Sequence, residues 1–251
     1  VIGDIRDPDS VSRAATAAGG CKVVIHAAGV PRPASWRTFR AVHIQGTQNV
    51  IRAAQSAGVN RLVHLASQAV TFRGVDQLHM DESSPYPTRF IDPYSATKAE
   101  GEQLALAAHN SDRMQVLSLR PAVVWGRGDT TVLPIMARLA KSPLGVPMCG
   151  DGRNIEATTH IDNLVQAIVL AASAPIPQHT TSPGPAYLIA DPFRITWKEF
   201  LAAQIEAAGV RPRFVRIPRA VAIPSAWILD HTAASLGLPV PLATFGLRNA
   251  L

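Results

Sequence analysis

An α/β fold on a doubly wound parallel sheet, with a smaller C-terminal substrate lobe, is what the sequence predicts, and three features predict it. Short apolar runs rich in β-branched residues alternate with longer stretches of helical period, as βαβ units require. The runs end in small residues where a chain can turn sharply. Beyond Gly126 the texture changes to a region punctuated by Gly126, Gly128, Gly145, Gly150 and Gly152, which marks a second lobe.

The strands are expected at residues 22–26, 61–66, 114–119 and 186–190. A helix over 42–57 carries Ala53, Ala54 and Ala57, small enough to pack closely on a sheet, and Gly58 followed by Asn60 stops it. A second helix runs from 94 to 109, with Pro93 at its entrance, where a missing N–H does no harm. Region 126–160 reads as loops interrupted by one helix near 132–141. Helices at 161–174 and 196–208 follow, separated by a Pro/Ser/Thr/His-rich surface loop at 174–185. A last, strongly apolar helical pattern covers 219–236. Pro224, Asp230 and His231 interrupt it, so it falls short of the roughly 20 apolar residues of a membrane span and reads as a pocket wall or a surface touching lipid. The first domain therefore takes 1–125 with about 156–190, and the second takes 126–155 with 191–251.

A chain of 251 residues, 47% hydrophobic and 17% charged, can bury one sizeable core, or a core with a lobe against it. The net charge of +6 comes mainly from arginine, since Lys22, Lys98, Lys141 and Lys198 are the only lysines. It would favour anionic ligands, but without a basic run or aromatic-basic interleaving no nucleic-acid partner is expected. Cys21 and Cys149 stand far apart with no CxxC or His-rich partner, so neither a metal site nor a disulfide framework is expected, and a reducing cytoplasm fits. The opening Val1-Ile2-Gly3-Asp4 shows no signal-peptide pattern and no initiator methionine, so the chain is expected to begin inside a longer one.

The sharpest chemical feature is Asp92-Pro93-Tyr94-Ser95-Ala96-Thr97-Lys98. Positions four apart share a helix face, so the Lys98 ammonium can sit beside the Tyr94 phenol. A neighbouring cation favours the phenolate, and Tyr94 could then exchange a proton with a substrate hydroxyl near neutral pH. Taken alone the spacing is weak, because three tyrosines and four lysines produce it by chance about 5% of the time. Ser67 in Leu65-Ala66-Ser67 lies at the carboxyl end of an expected strand, where ligands bind open α/β sheets and a hydroxyl can donate to a substrate carbonyl. Without Tyr94 and Lys98, a serine starting a turn would be the better reading. His26-Ala27-Ala28-Gly29 ends another expected strand, and small residues there let a ligand approach the backbone, though a plain turn explains them equally well.

In order, Gly3-Asp4-Ile5-Arg6-Asp7, HAAG at 26–29, Gly46-Thr47, LAS at 65–67, YSATK at 94–98, LRPAVVWG at 119–126 and THIDNL at 159–164 resemble the extended short-chain dehydrogenase/reductases. Within that Rossmann-like superfamily, which includes NAD-dependent epimerases and dehydratases, the chain is most similar to the 3β-hydroxysteroid dehydrogenase and sterol-4α-carboxylate 3-dehydrogenase branch. Trp125-Gly126-Arg127-Gly128-Asp129, Gly150-Asp151-Gly152-Arg153-Asn154 and the apolar tail after Arg216-Ile217-Pro218 carry that similarity. The resemblance implies NAD or NADP as cofactor, a small-molecule substrate and a homodimer paired through the helices near 44–57 and 94–109. It implies that Ser67, Tyr94 and Lys98 are catalytic, with Tyr94 and Lys98 also touching cofactor and Lys98 holding the nicotinamide ribose. Asp4 and Ile5 match the adenine contacts, Ala27, Ala28 and Gly29 the turn against the cofactor, and Pro121 to Val124 the segment beside the carboxamide. His160 and Asp162 match a segment that is mainly structural.

Two departures stand out. The family usually has Asn at the position of His43, so a histidine there either replaces that hydrogen bond or disturbs an active-site water. The Gly-rich phosphate loop of the family's first βαβ unit has no match, and its residues select NAD or NADP. The chain is therefore expected to lack that unit and, alone, to bind dinucleotide poorly. The resulting expectation is an oxidoreductase transferring hydride between a nicotinamide cofactor and a secondary alcohol or ketone, on a 3β-hydroxysteroid or sterol-like substrate. A nucleotide-sugar epimerase or dehydratase of the same fold is the alternative, and a non-catalytic dinucleotide sensor a second. No GxSxG elbow or HExxH spacing supports a hydrolase.

Overall fold

The computed structural model describes residues 3–17, 20–31, 34–130, 132–176, 183–218 and 220–221. All but residues 220 and 221 of the helix expected at 219–236, and residues 177–182 of the loop expected at 174–185, lie outside the described residues. In chain order the elements are α1 (Pro8–Thr16), β1 (Val23–His26), α2 (Trp36–Phe39), a π-helical segment (Arg40–Gly46) running into α3 (Thr47–Ser56), and β2 (Arg61–Leu65). A 3₁₀ turn (Gln68–Thr71), α4 (Pro93–Ala107), β3 (Gln115–Pro121), β4 (Val123–Trp125), α5 (Val132–Lys141) and β5 (Val146–Cys149) come next. They are followed by β6 (Ile155–Glu156), β7 (Thr158–His160), α6 (Ile161–Ser173), β8 (Ala186–Ile189), β9 (Ile195–Thr196), α7 (Trp197–Ala207) and β10 (Phe214–Ile217).

The chain divides into two compact units, one of Val1–Arg73, Gln77–Ala122 and Asp162–Ile189, the other of Gly74–Asp76, Val123–Ile161 and Ala190–Leu251. In the first, β1, β2, β3 and β8 lie in that order in a sheet whose neighbours are all parallel. Both faces of the sheet are covered, which is why its strands read as nearly continuous apolar runs. On one face Leu62 and Val116 meet Val50, Ile51 and Ala54 of α3 and Ala105 of α4. On the other, Val63, Leu117 and Leu119 meet Ala167, Ile168 and Ala171 of α6. Leu62, Val63 and Val116 are wholly buried, each worth about 1.5–3 kcal/mol of transfer free energy. This is the expected doubly wound α/β sheet, with β1 at one edge of the described strands and Ile25 on it half exposed.

Caps fix where the helices begin. Asp92 accepts a hydrogen bond from the backbone N–H of Ser95 and Pro93 supplies the first helical residue, so α4 starts with Tyr94 in its first turn. Asp7 caps α1 in the same manner, and Thr196 with Glu199 forms a capping box on α7.

The second unit differs from the loop-rich region expected at 126–160. It contains the parallel pairs β4–β7 and β5–β10 and the antiparallel pair β6–β9. These strands have two to four residues and are interrupted by glycines, too short for a period of two to register. Val146, Met148, Phe200, Leu201 and Ile205 form their common core.

Candidate active site

The site assembles at the carboxyl ends of β1 and β2, where α4 and the π-helical segment approach the sheet. Tyr94 is half-buried, its ring meeting Phe39 edge-on at 5.9 Å and His43 edge-on at 5.6 Å. One turn later Lys98 points inward, and its Nζ donates to the backbone carbonyl of Leu65 at 2.5 Å, two residues before Ser67. Burial pushes the Lys98 ammonium down to about 8, with the Glu102 carboxylate partly offsetting that penalty. Ser67 caps the 3₁₀ turn by accepting from the Ala69 N–H. That turn packs on α4 through Ala66, Val70 and Ala99. Ser67 and Lys98 are thus tied to the same strand end.

The expected cofactor residues fall in different surroundings. Ala27, Ala28 and Gly29 form an exposed turn beyond β1, open to a ligand. Ile5 is half-buried against the α3 core, and its side chain fills the space where a Cβ on Gly46 would sit. Asp4 is exposed, and a bidentate pair with Arg6 holds its carboxyl at about 2. Pro121 is buried at the end of β3. Val124 lies in β4 of the second unit, 39% exposed.

Beneath the phenol and the ammonium lies a polar layer that the sequence did not reveal. His26 and His64 are cross-strand partners with ring centroids 5.2 Å apart. Desolvation, reinforced by Lys98, lowers His26 and His43 to about 4 and pushes His64 well below the ordinary histidine value. These three histidines are therefore neutral near pH 7. Glu102, wholly buried one turn past Lys98, accepts from Tyr86 Oη at 2.8 Å, Ser118 Oγ at 2.6 Å and Arg120 Nε at 3.0 Å. Its signal was present as the third member of a four-residue spacing, Tyr94, Lys98, Glu102. Arg120 was visible only as part of a motif, with nothing to say that it pairs with Glu102.

The second unit has its own polar anchor. Buried Asp191 accepts from Trp125 Nε1, Thr158 Oγ1 and the His160 N–H, each at 2.8 Å, and the His160 ring meets Trp125 at 4.6 Å. This gives the His160 segment a structural role in holding β4 to β7. Beside it, Val123, Trp125, Leu133, Met136, Phe200 and Leu201 line a small, mostly apolar hollow, with Asp129 and Gln204 as its polar members. Among the described residues no group of acidic, His and Cys side chains could hold a metal ion, and no helix is long and apolar enough to cross a membrane.

Comparison with known proteins shows the family of the chain. A 3beta-hydroxysteroid-dehydrogenase/decarboxylase isoform of Arabidopsis thaliana is 34% identical over 233 residues, covering 90% of this chain and 53% of that protein. A 2-alkyl-3-oxoalkanoate reductase of Stenotrophomonas maltophilia is 33% identical over 233 residues, 90% of this chain and 67% of that protein. The chain spans about half the length of the plant relatives it matches. Among solved structures, a UDP-glucose 4-epimerase of Thermus thermophilus in complex with NAD superposes with a TM-score of 0.66 at 26% identity, over 86% of this chain and 70% of that one. The 3-beta hydroxysteroid dehydrogenase/isomerase family matches residues 1–219, and the chain belongs to that family.

Proposed function

We propose that the protein containing this chain transfers a hydride between a nicotinamide cofactor, NAD or NADP, and a secondary alcohol or ketone on an apolar, sterol-like substrate. The observation that carries this reading is the placement, one turn apart on α4, of a half-buried phenol and a deeply buried ammonium whose Nζ is anchored two residues before Ser67. The residues present fit such a cofactor. Ala27 to Gly29 offer an exposed turn of small residues, and the inward Lys98 Nζ has donors for ribose hydroxyls beyond the one it gives Leu65. The cofactor supplies the hydride acceptor. Tyr94 removes or returns the proton of the substrate hydroxyl, Ser67 orients that oxygen, and Lys98 stabilises the phenolate electrostatically. His43, His26 and His64, all lowered by burial, stay neutral and add no competing acid near neutral pH.

The lining of the hollow beside Trp125 is mostly aliphatic and aromatic and includes no basic side chain, which favours an apolar substrate over a sugar diphosphate, since the latter would call for several basic groups. A homodimer paired through α3 and α4, and a cytoplasmic setting, complete the reading. Both rest on family resemblance, and light scattering of the intact protein tests the first. The functional test is a panel of 3β-hydroxysteroids, 2-alkyl-3-oxo acids and nucleotide sugars offered to the intact protein with either cofactor. Turnover confined to nucleotide sugars would replace the proposal with epimerase or dehydratase chemistry.

A further inference from the structure

His43 is buried, 3% exposed, inside the seven-residue π-helical segment Arg40–Gly46. A π turn is rare and places its side chains off the ordinary helical rows, often at functional sites. Here it delivers an imidazole to a junction of three elements. Nε2 accepts from the Val30 N–H at 3.1 Å, just after the Ala27–Gly29 turn, and it lies 3.8 Å from where a Gly29 Cβ would stand. On the opposite side Nδ1 meets Thr97 Oγ1 at 3.0 Å, and that hydroxyl donates to the Pro93 carbonyl at 2.8 Å. Because Nε2 must accept and Oγ1 is already donating, Nδ1 carries the proton. The ring is stacked on Phe39 at 5.4 Å and meets Tyr94 edge-on.

The backbone of His43 is fixed as tightly. Its carbonyl accepts from Thr47 Oγ1 at 2.7 Å, and Thr47 Oγ1 accepts from His26 Nε2 at 2.9 Å. Gly101 of α4 has no Cβ where one would overlap that carbonyl oxygen, so α4 rests directly on the π segment. Every polar atom of His43 that faces the site is thereby committed. One end of the ring holds the turn beyond β1, and the other reaches, through the Thr97 hydroxyl and the Pro93 carbonyl, the first turn of α4, which bears Tyr94.

We propose that His43 is a positioning residue, a neutral Nδ1–H imidazole that sets the distance and angle between the Tyr94 phenol and the Ala27–Gly29 turn. The claim rests on the proposed hydride-transfer function, in which that distance is the one between the acid/base and the cofactor. Its reach can be divided chemically. An Asn amide can replace the Nδ1 donor toward Thr97 but falls short of Val30, whereas a Gln amide can replace the Nε2 acceptor. A misplacement of about 1 Å costs on the order of 100-fold in rate, so the loss should be read in turnover.

The test uses the intact protein with tyrosine labelled at its ring Cζ, the Tyr94 resonance being assigned by its loss in Tyr94→Phe. His43→Phe should move the Tyr94 resonance, lower kcat at least about 10-fold and raise the cofactor KM. His43→Asn should restore the resonance and most of kcat but leave the cofactor KM raised, and His43→Gln should do the reverse. If His43→Phe fails to fold, the opposed responses of the Asn and Gln variants decide the matter alone. A Tyr94 resonance and a kcat unchanged in every variant, with only thermal stability reduced, would overturn the proposal. Should the wild type transfer no hydride at all, the functional reading fails, and the Tyr94 resonance still supports or refutes the positioning claim.

Discussion

Holding a lysine ammonium inside a protein leaves a signature in the pH dependence of stability. Lys98 is lowered from 10.5 to about 8, chiefly by desolvation. The difference, 10.5 − 8 = 2.5 units, corresponds at 1.36 kcal/mol per unit to a cost of about 3 kcal/mol when Lys98 is charged. Above pH 8 the folded protein releases that proton while the unfolded chain keeps it until about pH 10.5. Stability therefore rises with pH through this window. Lys98→Met removes the titration. Comparing it with Lys98 in a Tyr94→Phe background silences the neighbouring phenol and cancels every other titrating group. The protein retaining Lys98 should gain about 3 kcal/mol on the Lys98→Met variant across the window, or about 6–12 °C in Tm for a chain of this size. Urea denaturation at pH values on either side of the window measures the gain. A difference between the two proteins that stays constant with pH would show that Lys98 is not held in a desolvated site.

Other perturbations probe the layer around it. Glu102→Gln leaves Arg120 buried without a counter-charge and should cost about 3–5 kcal/mol, most of it recovered by adding Arg120→Met; denaturation midpoints of the single and double variants check this. Below the ordinary histidine value the slope keeps the same sign: between pH 6.5 and about 4 the unfolded state binds protons that folded His26 and His43 refuse, so stability falls as pH drops. His26→Gln should flatten that fall by about 3 kcal/mol, and an unchanged acid limb in urea titration would contradict it. Gly101→Ala drives a methyl against the His43 carbonyl and should destabilise by about 1–3 kcal/mol while lowering turnover, seen by thermal melts and initial rates.

Much of this architecture was legible in the residues. The strands at 23–26, 61–65, 115–121 and 186–189 stood out because a sheet buried on both faces needs continuous β-branched and apolar runs. The helix bearing Tyr94 was readable from Asp92-Pro93, a cap and a first-turn proline, and from the four-residue spacing to Lys98. The short pairs β5–β10 and β6–β9 were not, because pairing between segments far apart in the chain leaves no local period. Nor was the buried polar layer. His26, His64, Ser118 and Glu102 come together through strand register and a facing helix, and each taken separately looks like an ordinary polar residue in an apolar run. The π segment at 40–46 was hidden for a related reason: one extra residue per turn alters geometry without altering composition.

The measurement that bears most directly on the central claim is cofactor reduction by the intact protein in the presence of a 3β-hydroxysteroid, run side by side for wild type and Tyr94→Phe. The wild type should turn over, and removal of the phenolic oxygen should lower kcat by about 100-fold or more with little change in protein stability. Equal turnover in the two would contradict the assignment of Tyr94 as the acid/base and, with it, the chemistry built on Lys98 and Ser67.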